Sequence, residues 1–428
     1  MRKRVVITGM GTINPLGDSL DEYYNNLIAG KSGMKKWTSI DLSSVECKIG
    51  GDLGDYDSNA CLENFQPDLD QKKYKAIKKL FRSTTFSAKL TALSSLMAYK
   101  DAGLLNYKDI DPYKTSVIVP GHNLNSHYIF QNIKQFFDEP EYTDPMAGVE
   151  AIDPNIPAIV TEVLELKGPA FTIGGACASG NLAIRSGFRD IILGECERAV
   201  IAGAPFDVSP TDIHASVIIN AVVIKPEYQD KPEKASRPFD SDRCGFLYSH
   251  GAGALILEEL ETAKARGAHI YGEILSVKAS SNACHLPLPG AEDQARVMIE
   301  ALKEAGVKPE QIDYVNCHAT GTPRGDLQEI LAIKSAFGNH SYNLKLNAPK
   351  SMLGHTCWAS PIIETIGGLL QMRNGKLHPT INIDAQDPVI DLDICANKTV
   401  DHKINYMLKN SFGFGGLNCC SVIKRYEG

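Results

Sequence analysis

Short apolar runs rich in β-branched residues recur along the chain, and they are apolar at nearly every position instead of alternating with polar residues. Continuous runs of this length are typical of strands that are buried on both faces of a helix-covered sheet. The runs that we predict to be strands are VVIT (5–8), SVIV (116–119), AVIAG (199–203), ALILE (254–258), IYGEILSV (270–277), YVNC (314–317) and SVIK (421–424).

Between these runs, apolar residues recur at spacings of three and four, which predicts helices. The clearest examples are NLAIRSGFRDIIL (181–193), DQARVMIEALKEAG (293–306) and GDLQEILAIKSAFG (325–338). Alternating strands and helices indicate an α/β protein. Residues 120–160, with DEPEYTDPMAG and DPNIP, are predicted to form a long irregular region, and such regions are usually functional or face a partner.

The chain has 428 residues, which is more than one hydrophobic core usually organises. We therefore expect two domains or two fused halves. The basic segment KARGAH (264–269) is a reasonable junction between them. We place the N-terminal half at residues 1–266 and the C-terminal half at residues 267–428.

The composition of the chain argues against several functional classes. The apolar fraction is 43%, the charged fraction is 22% and the net charge is −7, which argues against nucleic acid as a main partner. The 11 cysteines form no CxxC pair, so reduced thiols and a cytoplasmic location are expected. The basic opening MRKRVVITGM lacks an apolar run long enough for a signal peptide, and no run approaches a membrane span.

Four of the strand-like runs each lead into a loop with chemically reactive or ligand-binding residues. AFTIGG leads to Cys177, IDYVNC to His318, LKLNAP to Lys350 and His355, and YMLKNS to the glycine-rich FGFGG (412–416). Sheet proteins of this class place ligand sites at such strand ends. We expect the four loops to meet.

Cys177 is the candidate nucleophile. Small neighbours in GGACASGN (174–181) allow close approach of a substrate carbonyl, and the helix predicted to follow would place the thiol at a helix N-terminus, where N–H groups favour the thiolate. The alternative is a buried structural cysteine, which is what most cysteines are. Taken alone, a histidine such as His318 is more often structural than catalytic, and the alternative for Lys350 and His355 is a solvated loop. The exposed N–H groups and aromatics of NSFGFGG (410–416) suit an oxyanion site and a gate.

ACASG, HATGTP, KSMLGH and NSFGFGG, in this order and spacing, resemble the β-ketoacyl-acyl carrier protein synthases, the elongating condensing enzymes. The similarity extends from VVITGMGTINPLG through FDSDRCGFLYSHGAG to GFGGLNCCSVIK, essentially the whole chain. It implies the thiolase fold, in which two similar βαβαβ halves stack as a five-layer α/β/α/β/α sandwich, and it implies a dimer.

The resemblance also implies the roles of individual residues. Cys177 would accept an acyl chain from the phosphopantetheine of an acyl carrier protein, with no metal or redox cofactor. His318 and His355 would stabilise the enolate of a decarboxylating malonyl thioester, with Lys350 held by Glu364. The N–H groups of Cys177 and Phe414 would form the oxyanion hole, with Phe414, between Gly413 and Gly415, as the gate. Substrate-binding positions would be Thr320, Thr322, Phe412 and Leu124, the last at the floor of the acyl pocket.

Other members of the superfamily are distinguished by their residues. Thiolases use a second cysteine, and CoA-primed starter synthases use Cys, His and Asn, whereas here the third residue is His355. Chain-length factors lack the nucleophile that Cys177 provides. A metal site formed by Cys177, His318 and His355 is a further alternative, since thiolates and imidazoles are zinc ligands.

Several residues depart from the family pattern around the acyl pocket. Trp358 stands where small residues are usual, Leu417 replaces a threonine, YSHGAG (248–253) replaces a GEGAG-like segment, and Asn282 replaces an aspartate. The catalytic set is intact, so we expect a specialised type II polyketide or polyene synthase, pairing with itself or with a chain-length-factor-like homologue. The alternative is a housekeeping fatty-acid elongation enzyme acting as a homodimer.

The carrier protein would require a docking surface. KKYKAIKKLFR (72–82) concentrates positive charge in an otherwise acidic chain, with Lys78, Lys79 and Arg82 as candidate contacts. A solvated helix face is the alternative interpretation.

Overall fold

The computed structural model describes residues 3–427, so only the first two residues of the basic opening and the final glycine lie outside it. The strands are Val5–Ile13 (β1), Lys35–Lys36 (β2), Ile49–Gly50 (β3), Thr115–Pro120 (β4), Ala170–Ile173 (β5), Arg198–Gly203 (β6), Ala252–Glu259 (β7), Gly272–Ser281 (β8), Tyr314–Asn316 (β9), Lys345–Asn347 (β10), Lys376–Leu377 (β11), Val400–Asp401 (β12), Tyr406–Gly413 (β13) and Leu417–Lys424 (β14).

The α-helices alternate with these strands through most of the chain. They are Leu20–Ile28 (α1), Ser58–Glu63 (α2), Gln71–Leu80 (α3), Phe86–Asp101 (α4), Ser126–Asp138 (α5), Ala147–Glu150 (α6), Asn155–Leu164 (α7), Ser179–Leu193 (α8), Pro210–Ile218 (α9), Pro226–Gln229 (α10), Leu260–Ala265 (α11), Ala291–Ala305 (α12), Pro323–Phe337 (α13), Lys350–Leu353 (α14) and Ser360–Asn374 (α15).

Ten of the strands form two five-stranded sheets of the same topology. The first has the order β1-β7-β6-β4-β5 and the second the order β8-β14-β13-β9-β10. In each sheet the first two pairings are antiparallel and the last two are parallel. The sheets adjoin where β1 pairs with β8. The predicted α/β class and its two similar halves are therefore confirmed, and the predicted junction at residues 266/267 falls in the connection between α11 and β8.

The fold has five layers, which are three layers of helices and the two sheets between them, and three hydrophobic cores hold these layers together. One core packs α4 and α7 on the outer face of the first sheet, and another packs α12 and α13 on the outer face of the second. The third contains α8 and α15 between the two sheets. Within β4, Val117 and Val119 face the outer core and Ile118 faces the central one. The strands are apolar at successive positions because both faces are covered.

The two central helices begin at equivalent places in the two halves. A short 3-10 turn, Ala176–Ala178, connects β5 to α8, and a matching turn, Cys357–Ala359, leads into α15. The helix starts touch, since a Cβ on Gly180 would lie 2.9 Å from the ring of Pro361. The fold thus brings two turns, one from each half, to a single place between the sheets.

The structure confirms the seven predicted strands and the three predicted helices, but it corrects one expectation. The region 120–160 is not irregular, since it contains α5, α6 and most of α7. Polar residues within α5, Pro157 within α7 and the prolines between the helices interrupt the apolar periodicity on which the prediction depended. Within residues 3–427, no helix combines the length and apolar character that crossing a membrane requires.

Candidate active site

The turn before α8 holds Cys177 in a strained, well-fixed position. Ala176 has a positive φ of 46°, which is unfavourable for a residue with a side chain. The Ser179 hydroxyl accepts a hydrogen bond from the N–H of Gly175 at 2.8 Å and donates one to the carbonyl of Ala176 at 2.6 Å. This local network places the sulfur at the start of the central helix, as the sequence predicted.

His355 lies directly against the sulfur, with Nε2 3.0 Å from Sγ of Cys177. The backbone N–H of Cys357 donates to Nδ1 of the ring at 3.2 Å. Because Nδ1 is an acceptor, the proton of the neutral imidazole resides on Nε2. His355 therefore presents an N–H donor to the sulfur and to any oxygen bound beside it.

His318 approaches the same point from the second sheet, in the loop after β9. Its ring centroid lies 5.6 Å from that of His355 and 5.9 Å from that of Phe412. The Cys177 sulfur and one nitrogen from each of the two imidazoles all lie within 4.8 Å of one another. The loops that the sequence analysis expected to meet do meet.

A buried ion pair lies behind the two imidazoles. Lys350 and Glu364 are each 1% exposed, and Nζ lies 2.5 Å from Oε1. The same ammonium donates to the carbonyl oxygen of His318 at 2.7 Å. The positive charge of Lys350 next to Cys177 and both histidines disfavours a bound metal cation, although the three atoms are close enough to share one ion.

Sequence reasoning missed two residues of this site. Glu329, on α13, accepts hydrogen bonds from the N–H groups of His318 and Ala319 at 2.9 and 2.7 Å and so fixes the histidine loop. Lys409, on β13, forms an ion pair with the second oxygen of Glu364 at 2.8 Å. The sequence does contain a signal for each residue. Lys409 is a charged residue within an apolar run that is predicted to be a strand, and Glu329 lies in the helix predicted to follow the His318 loop.

Burial dominates the protonation of the site. It raises the pKa of the Cys177 thiol to about 11, although Lys350 and the N–H groups of Phe414 and Cys177 act in the opposite direction. The expectation that the helix N-terminus favours the thiolate is therefore correct for the N–H groups, but desolvation outweighs them. Burial, together with Lys350, holds the pKa of His318 and of His355 well below the ordinary histidine value.

The glycine-rich loop closes the other side of the sulfur. A Cβ on Gly413 would lie 2.7 Å from the carbonyl oxygen of Gly175 and 3.2 Å from the nitrogen of Cys177, so only glycine allows this approach. Phe414 is 46% exposed, and Gly415 after it has a positive φ of 78°. An exposed aromatic next to a left-handed glycine, with its own N–H near the sulfur, fits both a gate and one half of an oxyanion hole.

A cavity of about 320 Å³ leads from the surface to Cys177. Its lining includes both histidines together with Thr320, Thr322, Phe412 and Phe414. Leu124 does not line this cavity, because its side chain is fully buried in the outer core of the first half. Its assignment to the floor of the acyl pocket stays a prediction.

On the far side of the nucleophile, aromatic rings fill the space beside the turn. Trp358, in the 3-10 turn before α15, stacks against His122 with ring centroids 4.3 Å apart and against Phe206 at 5.4 Å. His122 in turn lies beside Gly174 in the loop that carries Cys177. Trp358 and His122 therefore wall off the region behind the sulfur.

The basic segment lies on α3, remote in sequence from these loops. Lys78 is 3.5 Å from Glu63, and Lys73 pairs with Glu165 at 2.8 Å. Lys79 and Arg82 are exposed and have no ion-pair partner within residues 3–427. A positively charged surface thus remains on this helix.

Comparison with known proteins agrees with this geometry along the whole chain. The N-terminal domain of β-ketoacyl synthases matches residues 2–263, and the C-terminal domain matches residues 271–384. The chain is 33% identical to 3-oxoacyl-[acyl-carrier-protein] synthase 2 of Synechocystis sp. over 431 residues, covering 100% of this chain and 99% of the relative. It is 34% identical to the protein of the same name from Coxiella burnetii over 427 residues, covering 99% of each.

Solved structures of ketosynthases share the fold. The ishigamide ketosynthase/chain length factor superposes with a TM-score of 0.88 at 30% identity, covering 100% of both chains. A type II polyketide ketosynthase in complex with its acyl carrier protein (AntDE:AntF) gives 0.88 at 25% identity, again covering 100% of both chains. A β-ketoacyl synthase from Burkholderia phymatum gives 0.87 at 28%, covering 99% of this chain and 100% of that one. The chain belongs to the β-ketoacyl synthase family and is an acyltransferase of the condensing type.

Proposed function

We propose that Cys177 carries the acyl chain in a decarboxylative condensation with a malonyl group, both delivered on the phosphopantetheine arm of an acyl carrier protein. The observation that carries this proposal is the meeting of one sulfur and two imidazoles within 4.8 Å at the end of a 320 Å³ cavity. No bound metal or redox cofactor takes part in these steps.

The first half-reaction transfers the acyl group. Cys177 first gives up its thiol proton to solvent. The thiolate then attacks the thioester carbonyl and a tetrahedral oxyanion forms. Its collapse breaks the bond to the pantetheine sulfur, which leaves as a thiolate and takes up a proton from solvent. The N–H groups of Cys177 and Phe414 stabilise that oxyanion. His355 presents a proton on Nε2, so it stabilises the thiolate as a donor and does not accept the thiol proton. Lys350 adds a fixed positive charge.

The second half-reaction forms the carbon–carbon bond. The malonyl thioester loses carbon dioxide, and the electron pair of the broken bond passes to the thioester oxygen as an enolate. The N–H groups of His318 and His355 stabilise this charge, which develops only as the reaction proceeds. The enolate carbon then attacks the acyl group on Cys177, and the sulfur leaves as a thiolate, so the chain is two carbons longer.

We further propose that the acyl specificity is specialised, as in a polyketide or polyene pathway. Trp358 supports this, because a large ring occupies a turn that packs directly against the turn of Cys177. The resemblance to both polyketide ketosynthases and 3-oxoacyl synthases is compatible with either class, so housekeeping fatty-acid elongation is the second candidate.

An oligomer completes the proposal. Strand β5 is the edge of the first sheet, and its residues are only partly covered. Helix α5 has no buried residue and exposes Ile133, Phe136 and Phe137. An uncovered strand edge and an exposed apolar helix each favour pairing with a second chain of this fold, either a copy or a homologue.

A carrier protein would approach through complementary charge. A solved structure holds a type II polyketide ketosynthase in complex with its acyl carrier protein, which is an example of this partner for that enzyme. In this chain the exposed cations on α3 and directly after it, Lys79 and Arg82 above all, form the surface that we propose for docking.

The central prediction concerns Cys177. Incubation with an acyl-carrier substrate should add one acyl group at Cys177, detected by mass spectrometry, and Cys177→Ser should lower condensation by at least about 10³-fold. Because the thiol pKa is about 11, alkylation of Cys177 should rise about tenfold per pH unit from neutral pH upward. An acyl group on another residue, or a serine variant with normal condensation, would contradict the proposal.

A second prediction tests the specialised pocket. Trp358→Ala should open space behind the sulfur and raise kcat/KM for acyl chains two carbons longer by roughly tenfold, because each buried methylene contributes about 0.8 kcal/mol. The measurement is competition between acyl substrates of increasing length. Trp37→Ala, at the other tryptophan, is the control and should leave the preference unchanged. An unchanged preference in Trp358→Ala would remove this residue as a determinant.

A third prediction tests the strand edge. The carbonyls of Pro169 and Ile173 accept hydrogen bonds from β4, so the backbone of Thr172 faces outward. Thr172→Pro should therefore weaken a dimer by at least about tenfold in sedimentation experiments, since proline removes the outward N–H. Thr172→Val keeps the N–H and should behave as the natural chain. Equal association of both variants would show that β5 is not the contact.

A fourth prediction tests the docking surface. Lys79→Glu combined with Arg82→Glu should weaken carrier-protein binding by roughly tenfold at low salt, and the difference should shrink as salt increases. The matched control reverses Lys303 and Lys308, which are exposed on and after α12 and give the same change in net charge. Equal binding by the two double variants would exclude α3 as the docking surface.

A further inference from the structure

Strand β13 carries a charged residue at its centre that the reaction described above does not use. Lys409 is fully buried, because the strand packs against a hydrophobic core on each of its two faces. Burying an ammonium group without compensation is very costly. The compensation is Glu364, whose Oε2 lies 2.8 Å from the Lys409 ammonium.

Glu364 therefore stands between two ammonium groups. Its Oε1 pairs with Lys350 and its Oε2 with Lys409, so each oxygen has its own cation. Two positive charges and one negative charge leave the group with one net positive charge. If Lys409 were absent, the remaining Lys350–Glu364 pair would be neutral.

The net charge lies next to the two imidazoles. The Lys350 ammonium donates a hydrogen bond to the carbonyl of His318. The positive charges of Lys350 and Lys409 both lower the pKa of His318 and of His355, in addition to the larger effect of burial. The other titratable groups that face Lys409 are Glu329, Cys317, Cys419 and Cys420. Glu329 is the remaining carboxylate, and it accepts the N–H groups of His318, Ala319 and Asn410.

We propose that Lys409 is a positioning residue for the condensation, because its buried ammonium gives the Lys350–Glu364–Lys409 group one net positive charge that adds to burial in keeping the two imidazoles neutral. Neutral rings donate N–H hydrogen bonds to the enolate. An imidazolium would instead protonate the enolate carbon, which gives an acetyl thioester and prevents bond formation to the acyl chain. The inference rests on the proposed function.

The test uses the full-length protein and measures two products, the condensed β-ketoacyl chain and the uncoupled acetyl thioester, across the acidic pH range. Lys409→Met removes the charge and keeps the length of the side chain. Both histidine pKa values then rise, so neutral rings are lost at a higher pH as the solution is acidified. The acidic limb of the condensation profile should move upward by about 1 pH unit, and the uncoupled product should increase along with it.

A second variant restores the charge without restoring the lysine. Lys409→Met combined with Glu364→Gln leaves only Lys350, so the group again has one net positive charge. The double variant should return the acidic limb toward its natural position, whatever its maximal rate. It removes both partners of the Lys409–Glu364 pair, and the Lys350 ammonium keeps its hydrogen bond to the carbonyl of His318.

Lys345→Met is the matched control, since Lys345 pairs with Asp393 near the surface. It should leave the limb unchanged. An unmoved limb in Lys409→Met, or a double variant that keeps the displaced limb, would overturn the role of Lys409. Failure of the natural enzyme to acylate Cys177 or to decarboxylate the malonyl substrate would instead overturn the proposed function, so the two failures are distinguishable.

Discussion

The contact between the starts of the two central helices is the constraint on which the site depends. Gly180 and Pro361 approach so closely that no side chain fits between them. This contact places the turn of Cys177 from one half against the turn that follows His355 from the other. A thiol and an imidazole from separate halves can then lie 3.0 Å apart in the interior. Each of the two similar halves supplies one turn, and the packing of the two turns brings the thiol and the imidazole together.

Electrostatics then decides what the buried pair can do. Desolvation disfavours a thiolate and an imidazolium alike, which raises the pKa of Cys177 and lowers that of His318 and His355. For the histidines this is useful, since neutral rings donate without protonating a carbanion. For the cysteine it is a cost, offset in part by Lys350 and by two backbone N–H groups. The same positive charge of Lys350 therefore favours the thiolate of Cys177 and disfavours protonation of the two histidines.

Much of the fold and of the candidate site could be predicted from the sequence. Strands were predictable because burial on both faces leaves continuous apolar runs, and the loops were predictable because four such runs end in Cys177, His318, Lys350 with His355, and Phe414. Glu329 and Lys409 were not found, because their positions in the sequence mark them as buried charges but do not show which groups they bind. The helices of 120–160 were not predicted, because α5 has no buried face and polar and proline residues interrupt the apolar periodicity of this region.

The internal symmetry gives Trp358 a particular meaning. The turns Ala176–Ala178 and Cys357–Ala359 each begin at a residue with positive φ and each lead into a central helix, so Trp358 occupies the position that corresponds to Cys177. One half uses the centre of its turn to present a nucleophile. The other half uses the same point to place a large ring beside His122 and Phe206, behind that nucleophile. A substitution at this point changes the shape of the acyl region and leaves the sulfur, both imidazoles and their ion pairs in place. In the proposed function, chemistry and specificity therefore lie at two equivalent positions of the two halves, which can vary independently.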